Sequence, residues 1–528
     1  MPTAALLAAT ACTEPPPREP LREVYAPPLT RVPPPQPLEQ TVTTLTADWR
    51  GAPGDTLRAD LASWQGITVL LALAVILVIA FDARRPRRGV LIDLLLMFGA
   101  GACLFDVIRF FDHLNNRAYV DLLDWVFIGV FALTSTLMVR SLLRAWKDAP
   151  IDWRPNPGPR VLAALAVALL LLDVAAVMMR QPDDAGFFVN LGAQRLRERG
   201  RLPYGDPLLT ATPGAAYAPL VYVAHIPFQV LLAPRGMNQS SPDSPQLGDQ
   251  STYYLPPLAA SQLCALSFHL TGVLALFFAT RRLAGANVGL AVVCLYCGSL
   301  AILGIGSDHY PVAGITFVSH IAPASIVLLA FAALPSPALA GALLVAAAGT
   351  GFYPAFMGPA WLGYYWRNRR ARYRFAGACL VASVALLAFV YALSLPAPGL
   401  SKMGTFLRDS FGHHTDPAGY GSSPFGFWGQ KGGIREAIMT PLLTSPLTTT
   451  AWGAFFALIA AAGLLAKGRS PAALALLSAA VAMAATLVKP HATGTYLAWY
   501  YGLILIGVCA GHRARRPGSK DPGPTSVS

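Results

Sequence analysis

The chain has 528 residues, of which 54% are hydrophobic and only 13% are charged, and its formal net charge is +13. This composition excludes an ordinary soluble domain, because the apolar residues also come in runs long enough to cross a hydrocarbon core. The basic residues stand in short clusters at the ends of these runs, which indicates cytoplasmic helix ends and argues against a nucleic-acid partner. We therefore expect an all-α polytopic membrane protein.

Four regions are expected along the chain. Residues 1–66 are rich in proline with nearly balanced charge, which predicts a disordered tail. Residues 67–159 hold three apolar spans, residues 160–511 hold the main bundle, and residues 512–528 form a basic, disordered cytoplasmic tail. The stretch that ends at Cys12 leaves two alternatives open, a lipid-anchored cysteine or a start codon placed too far downstream.

The basic clusters also predict the topology. Arginines directly after the first span indicate a cytoplasmic end, so the N-terminus is expected outside and Asp184 follows an outward exit. Alternation from there gives about thirteen spans. The segment 217–234 is ambiguous: if it lies on the outer leaflet, 338–366 is a hairpin of two short helices and Asp308 faces outside. If it crosses, 338–366 is one helix and Asp308 faces the cytoplasm.

Acidic residues at the predicted outer face are the candidate catalytic groups. Asp183 and Asp184 follow a long apolar run and Pro182, and a carboxylate at such an exit can act as a general base on a sugar hydroxyl. The alternative is a helix N-cap. Asp308, with His309 beside it, could orient an acceptor or hold a divalent metal ion, whereas the alternative is a solvated turn before a proline.

A second group of residues suits a lipid phosphate and a sugar. Lys489 and His491 stand at the outer end of a span, at the depth of lipid headgroups. Tyr496 then begins an aromatic run, which is also typical of an ordinary interfacial belt. In the outer loop 396–449, the aromatic Trp428 is expected to stack on a sugar ring or to dip into lipid.

Some polar residues lie inside the apolar runs. Asp106 and Arg109 have the spacing to pair on one helix face, whereas Asp173 has no evident partner in the sequence. An unpaired acid at this depth favours a transporter. Cys294 and Cys297 form a C-x-x-C spacing, which we interpret as packing within a helix rather than as a metal or redox site.

One stretch resembles a known family. Asp184-Ala-Gly-Phe-Phe is followed by Asn190-Leu-Gly192, then by Gly200-Arg-Leu-Pro-Tyr204, and then by Tyr217-Ala-Pro-Leu. This order resembles the first outer loop of GT-C superfamily glycosyltransferases, nearest to the mannosyl- and arabinosyltransferase-like families of actinobacteria. The chain departs from that pattern at Phe188, where tyrosine is usual, and at Ala218, which replaces the first proline of a pair.

The resemblance implies an activity. It implies a GT-C-like bundle in the plasma membrane with catalytic loops on the extracytoplasmic face, a polyprenyl-phosphate-linked sugar donor, and a glycan, lipid or protein acceptor. Asp184 matches the family's catalytic position, Asp183 takes a supporting part, and Asp308 is a second acid. The expected substrate-binding residues are Arg180, Tyr204, Tyr217, His309, Trp428, Lys489, His491 and Tyr496. A divalent metal ion is a candidate cofactor, and its ligands stay unknown. The rival hypothesis is a secondary transporter or flippase of a lipid-linked or small polar substrate.

Overall fold

A computed structural model describes most of the main bundle. The described residues are 64–82, 89–110, 117–149, 153–179, 182, 184–206, 209, 213–232, 258–303, 314–415, 445–489 and 496–510. Within these ranges every regular element is a helix and no strand occurs, which confirms the all-α prediction.

The described ranges hold seventeen α-helices. In chain order they are α1 Trp64–Ala80, α2 Gly89–Phe110, α3 Arg117–Lys147, α4 Pro159–Met179, α5 Asp184–Arg199, α6 Pro219–Leu232, α7 Leu258–Ala284, α8 Ala286–Cys297, α9 Leu300–Leu303, α10 Val318–Ala332, α11 Pro337–Thr350, α12 Gly358–Tyr364, α13 Arg369–Leu393, α14 Lys402–Thr415, α15 Ser445–Leu465, α16 Pro471–Val488 and α17 Ala498–Cys509. Single 3₁₀ turns stand at Pro213–Ala215, Gly314–Thr316 and Tyr353–Met357.

Five of the helices are long and apolar enough to cross a membrane. They are α4, α13 and α16 together with the segments Val126–Lys147 of α3 and Ala259–Ala284 of α7. The expected total of about thirteen spans stays a prediction, because the remaining apolar segments with described side chains run for only 10–17 residues.

The outer helices expose apolar side chains, and the central helix exposes almost nothing. On α13, Leu380 and Val381 are 66% and 71% exposed, and on α4, Leu171 is 65% exposed. Such surfaces suit contact with lipid tails. By contrast, α16 is buried from Ala472 to Val488, which its many alanines permit because small side chains let neighbouring helices approach closely.

One end of the bundle, which we call the arginine end, is held by charged contacts. Arg140 and Arg144 of α3 both bind Asp93 of α2, at 2.5 and 2.6 Å. Asp148 accepts a hydrogen bond of 2.9 Å from the Ser470 amide, at the start of α16. Arg282, at the end of α7, donates to the carbonyl of Ala332, at the end of α10, at 2.9 Å. These contacts join α2 to α3, the residue after α3 to the start of α16, and the end of α7 to the end of α10.

The opposite end, which we call the Lys489 end, gathers the remaining helix ends. The Gln262 side chain, near the start of α7, donates to Val177 near the end of α4, at 3.1 Å. The Leu202 amide donates to the carbonyl of Leu393, the last residue of α13, at 3.0 Å. The long helices α7 and α16 therefore run from one end of the bundle to the other.

The segment after α10 folds back on itself. The helices α11 and α12 are separated by the 3₁₀ turn at Tyr353–Met357, and Tyr365 donates its hydroxyl to the carbonyl of Leu334 at 2.8 Å. This bond returns the chain to the point where α11 began, so the predicted hairpin of two short helices is confirmed.

The expected pairing of Asp106 with Arg109 falls on side chains outside the described set.

The hairpin is closed by a very near approach of two backbones. A Cβ atom added to Gly363 of α12 would lie 2.0 Å from the carbonyl oxygen of Gly463 on α15. No real side chain fits there, because contacts below 3.0 Å force the backbones apart.

We therefore predict that Gly363→Ala lowers the melting temperature of the detergent-purified protein, at a cost of roughly 1–3 kcal/mol for overpacking. The matched control is Gly377→Ala on α13, where an added Cβ meets nothing within 4 Å. The control should melt at the wild-type temperature or slightly above it, because alanine favours the helix. Equal melting temperatures for the two variants would contradict the close approach.

Candidate functional site

The helix α5 begins at Asp184, the residue that the sequence predicts to be the general base. Asp184 is its first residue, so its backbone lies beside the unbonded amide groups of a first helical turn, which favour negative charge. Asp183 and Arg180 lie outside the described residues, as do Asp308, His309, Trp428 and His491.

Buried hydrogen bonds fix α5 close to its start. The Ser261 hydroxyl of α7 donates to the carbonyl of Gly186 at 3.2 Å. One turn further on, the amide of Gln229 on α6 donates to both the carbonyl and the side-chain oxygen of Asn190, at 2.6 and 2.7 Å. Asn190 and Gln229 are both buried. Two neighbouring helices therefore set the position of the Asp184 backbone.

The small residue within the sequence motif has a packing role. A Cβ atom added to Gly192 would lie 2.6 Å from the ring of Tyr222, so glycine allows α5 and α6 to touch. Tyr222 in turn donates its hydroxyl to the carbonyl of Gly214 at 2.7 Å and accepts from the Tyr217 amide at 3.2 Å. One side chain thus joins the start of α6 to α5.

The Gly-x-x-Pro-Tyr loop after α5 is tied to α13 and α14. Leu395 donates its amide to the carbonyl of Tyr204 at 3.2 Å, and the amide of Gly205 donates to Asp409 of α14 at 2.8 Å. Gly205 has a φ of +79°, which favours glycine. Arg195 of α5 lies 3.7 Å from Asp206, an ion pair that attaches the loop to its own helix.

Tyr204 and Tyr217 lie together in this loop region. The Tyr204 side chain is fully buried, its ring packs edge-on against Phe406, and its hydroxyl donates to the carbonyl of Tyr217 at 2.6 Å. Burial raises the pKa of Tyr204 well above its usual value. This hydroxyl is therefore a neutral donor that holds the loop, and its expected contact with substrate stays a prediction.

Lys489 is enclosed by aromatic rings at the same end of the bundle. Its ammonium lies 4.0 Å from the centre of the Tyr496 ring and 5.8 Å from that of Trp499, and it donates to the Tyr496 hydroxyl. The Tyr496 ring also packs against His320 and stacks on Trp499. We call these residues, with Tyr353, the Lys489 cage.

Two of the cage residues come from elements far away in sequence. His320 lies in the first turn of α10, where its ring stacks on Phe317 with centroids 5.3 Å apart. Tyr353 starts the hairpin turn and stacks on Trp499 at 4.1 Å. Sequence reasoning missed His320, although a histidine one turn after the start of an apolar helix is a usable signal for a site at the helix end.

The cage changes the protonation of its lysine. Part of the Lys489 residue reaches the surface, but its ammonium lies among the rings, and this burial lowers the pKa of Lys489 to about 7. The ammonium therefore holds its proton only weakly near neutral pH. An anion that enters the cage would favour the charged form and would be bound by it.

The hairpin turn joins the cage to the α5 region. Phe352, directly before Tyr353, packs against Phe406 and Phe411 of α14, with ring centroids 6.4 and 4.8 Å apart. Phe406 is also the residue that packs on Tyr204. The Gly-x-x-Pro-Tyr loop and the Lys489 cage are thus joined through the hairpin turn and α14.

A separate polar group lies inside the bundle. Asp173 of α4, which has no evident partner in the sequence, lies 2.9 Å from Nε2 of His269 on α7, and both side chains are completely buried. The two residues are 96 positions apart, so no local pattern could have revealed the pair.

Comparisons with protein-family models, with curated proteins and with solved structures found no match to this chain.

The lowered pKa gives a test of the Lys489 cage. Unfolded lysine has a pKa of about 10.4, so between pH 7 and about 10 the unfolded chain binds a proton that the folded chain lacks. The penalty for burying the charge is complete below pH 7 and disappears as the pH rises through this window. We predict that the melting temperature of wild type rises relative to that of Lys489→Met over this range.

The control for this measurement is Lys489→Arg, because arginine stays charged throughout the window. The difference in melting temperature between the arginine and methionine variants should not change between pH 7 and 10. If the melting temperature of wild type changes with pH in the same way as that of the arginine variant over the whole range, the ammonium is not enclosed as described.

Proposed function

We propose that this chain is a membrane glycosyltransferase of the GT-C type. It would transfer a sugar from a polyprenyl-phosphate carrier to a cell-envelope glycan, lipid or protein on the outer face of the plasma membrane. The observation that carries the proposal is the chain of ring contacts that joins the Gly-x-x-Pro-Tyr loop after α5 to the Lys489 cage, from Tyr204 through Phe406 and Phe352. A carboxylate that can accept a proton and a cation that can hold a phosphate then serve one reaction at one end of the bundle.

The distribution of charge supports an extracytoplasmic site. Basic residues follow the helix ends at the arginine end, as is usual for cytoplasmic ends. They include Arg140, Arg144, Arg281, Arg282, Arg367, Arg369, Arg370, Arg372, Arg374 and Arg469. At the Lys489 end, Arg195 of α5 is paired with Asp206, and Arg408 of α14 is paired with Asp409. The Lys489 end would then face outwards.

The position of α6 is consistent with this topology. Its described contacts are with elements of the Lys489 end: Leu220 meets Gly349 at the end of α11, His225 meets Ser261, and Gln229 meets Asn190. A helix of 14 residues reaches only about 21 Å, less than the ~30 Å of a hydrocarbon core. We propose that α6 lies at the outer leaflet and does not cross.

In the proposed reaction, Asp184 takes the proton of an acceptor hydroxyl, and the oxygen attacks the anomeric carbon of the sugar. The bond from that carbon to the phosphate oxygen breaks on the opposite face, so the configuration inverts and polyprenyl phosphate leaves. Lys489 would hold the departing phosphate with Arg180, His491 and Tyr496. Asp183 supports Asp184, and Asp308 with His309 orients the acceptor or a divalent ion.

The remaining residues have positioning parts in this proposal. Trp428 would stack on a sugar ring, while Tyr204 and Tyr217 hold the loop that covers the acceptor. A flipped lipid carrier suits the outer face, because it delivers an activated sugar where nucleotide sugars are absent. The phosphate oxygen gains negative charge as its bond to the sugar breaks, and a protonated Lys489 beside it would stabilise the transition state more than the ground state.

One observation favours a second candidate, a secondary transporter or flippase of a lipid-linked or small polar substrate. The buried Asp173–His269 pair is a titratable group within the bundle, as proton-coupled transporters require. Uptake or flipping of a labelled lipid-linked sugar into proteoliposomes, lost in Asp173→Asn and without any sugar transfer, would support that candidate instead.

The direct test of the proposed transfer is an assay in proteoliposomes with a labelled polyprenyl-phosphate sugar and a membrane extract as the acceptor source. We predict that Asp184→Asn lowers the transfer rate by about 10²–10⁴-fold, the usual effect of losing a general base. The matched control is Glu198→Gln, which neutralises an acid near the other end of α5. Undiminished transfer by Asp184→Asn would exclude Asp184 as the base.

The outer face has its own test. An Asp308→Cys variant should react with a membrane-impermeant maleimide in intact cells, and the wild type provides the background from its native cysteines. Labelling that requires permeabilised membranes would put position 308 in the cytoplasm, and would remove Asp308 and His309 from the site.

A further inference from the structure

Three buried ligand-type side chains meet inside the bundle, on three different helices. They are Asp173 of α4, His269 of α7 and Cys297 at the end of α8, and one ligand atom of each lies within 4.8 Å of the other two. All three side chains are buried, and Asp173 and His269 have no exposed surface at all. Among the described residues this is the group of metal-binding side chains that the fold brings together.

We propose that Asp173, His269 and Cys297 bind a zinc ion within the bundle. The proposal is independent of sugar transfer, because none of the three ligands belongs to the Lys489 cage. Asp173 is six residues before the end of α4, roughly 9 Å along the helix axis from Met179.

The distances suit a tetrahedral ion after small side-chain movements. Zinc binds thiolate at about 2.3 Å and imidazole or carboxylate at about 2.0–2.2 Å, so ligand atoms around it are about 3.3–3.6 Å apart. The three atoms already lie within 4.8 Å of one another, so movements of about 1 Å or less bring them to these separations.

The charges also favour a dication of this class. A carboxylate and a thiolate together carry two negative charges, which a zinc ion balances, and a neutral site is the least costly one in a low-dielectric interior. A monovalent soft ion would leave a net negative charge, and the hard Ca²⁺ and Mg²⁺ ions prefer all-oxygen ligands. Loading releases the thiol proton of Cys297 to solvent.

Unpartnered atoms in the same place point to a ligand. Oδ1 of Asp173 and Nδ1 of His269 are buried without a hydrogen bond of regular geometry, and the Cys297 thiol is the second group, after Nε2 of His269, that approaches the Asp173 carboxylate. The hydroxyl of Tyr296, whose ring stacks on His269, has none either. Buried polar atoms are normally bonded, so three such atoms side by side require an explanation. A bound cation satisfies the carboxylate, and Tyr296 or a water molecule can complete the fourth position.

Such an ion would clamp α4, α7 and α8 together. The end of α4 leads directly to Asp183 and Asp184, so the clamp would fix the helix that delivers the acidic stretch. Its contribution would come from binding energy that the unfolded chain does not obtain, as at other structural zinc sites.

The test uses the full chain, purified in detergent and reconstituted in lipid nanodiscs. We expect stoichiometric zinc by mass spectrometry of the metal, and a rise in melting temperature when zinc is added to chelated protein. Cobalt substitution should give a thiolate-to-cobalt charge-transfer band. Cys297→Ser should abolish that band and weaken zinc binding by roughly 100-fold or more.

The matched control is Cys294→Ser, which removes a buried thiol one helical turn away that donates to the carbonyl of Leu162 at 3.3 Å. It should keep both zinc and the charge-transfer band. If Cys297→Ser fails to fold, His269→Gln gives the same test of zinc content, because it keeps the size and a hydrogen-bonding group.

Two results would overturn the proposal. One is wild-type protein that contains no stoichiometric zinc and whose melting temperature is unchanged by zinc or by chelator, which would leave a simple hydrogen-bonded Asp–His pair. The other is equal zinc content in wild type, Cys297→Ser and His269→Gln, which would place the metal elsewhere.

Discussion

The close packing of α16 is the constraint on which the rest of the bundle depends. This helix is buried along almost its whole length, which is possible because eight of its 18 residues are alanine. Its start is capped by Ser470, which is itself held by Asp148, and its end delivers Lys489 to the opposite side of the bundle. A central rod with both ends fixed therefore sets the distance between the arginine end and the Lys489 cage.

Polar groups inside the bundle are handled in two ways. Several buried hydroxyls bond within their own helix, as when Thr280 donates to the carbonyl of Leu276 at 2.6 Å, so they need no partner from elsewhere. A smaller set joins different helices, and Trp361 donating to Ser478 at 3.1 Å is an example. The groups of the second kind decide which helices are neighbours, because lipid offers them no other partner.

The sequence predicted the positions of the helices better than the contacts between them. Hydropathy and basic clusters predicted the helical class and the alternation of helix ends, and the glycine and proline near 351–354 predicted the hairpin. Lys489 and Tyr496 could be linked because they are seven residues apart. The contacts of His320 with Tyr496 and of Asp173 with His269 could not be predicted, because they depend on how helices rotate against each other, which hydropathy does not determine.

The hairpin has a consequence for the biogenesis of the protein. With only seven residues, α12 extends about 10 Å, far short of a bilayer core, and its backbone is matched to α15 at Gly463. A translocon that sorts segments one at a time by hydrophobicity would find little reason to release such a helix into lipid alone. The packing of α12 against α15 instead makes stable insertion of the hairpin depend on the later synthesis of α15.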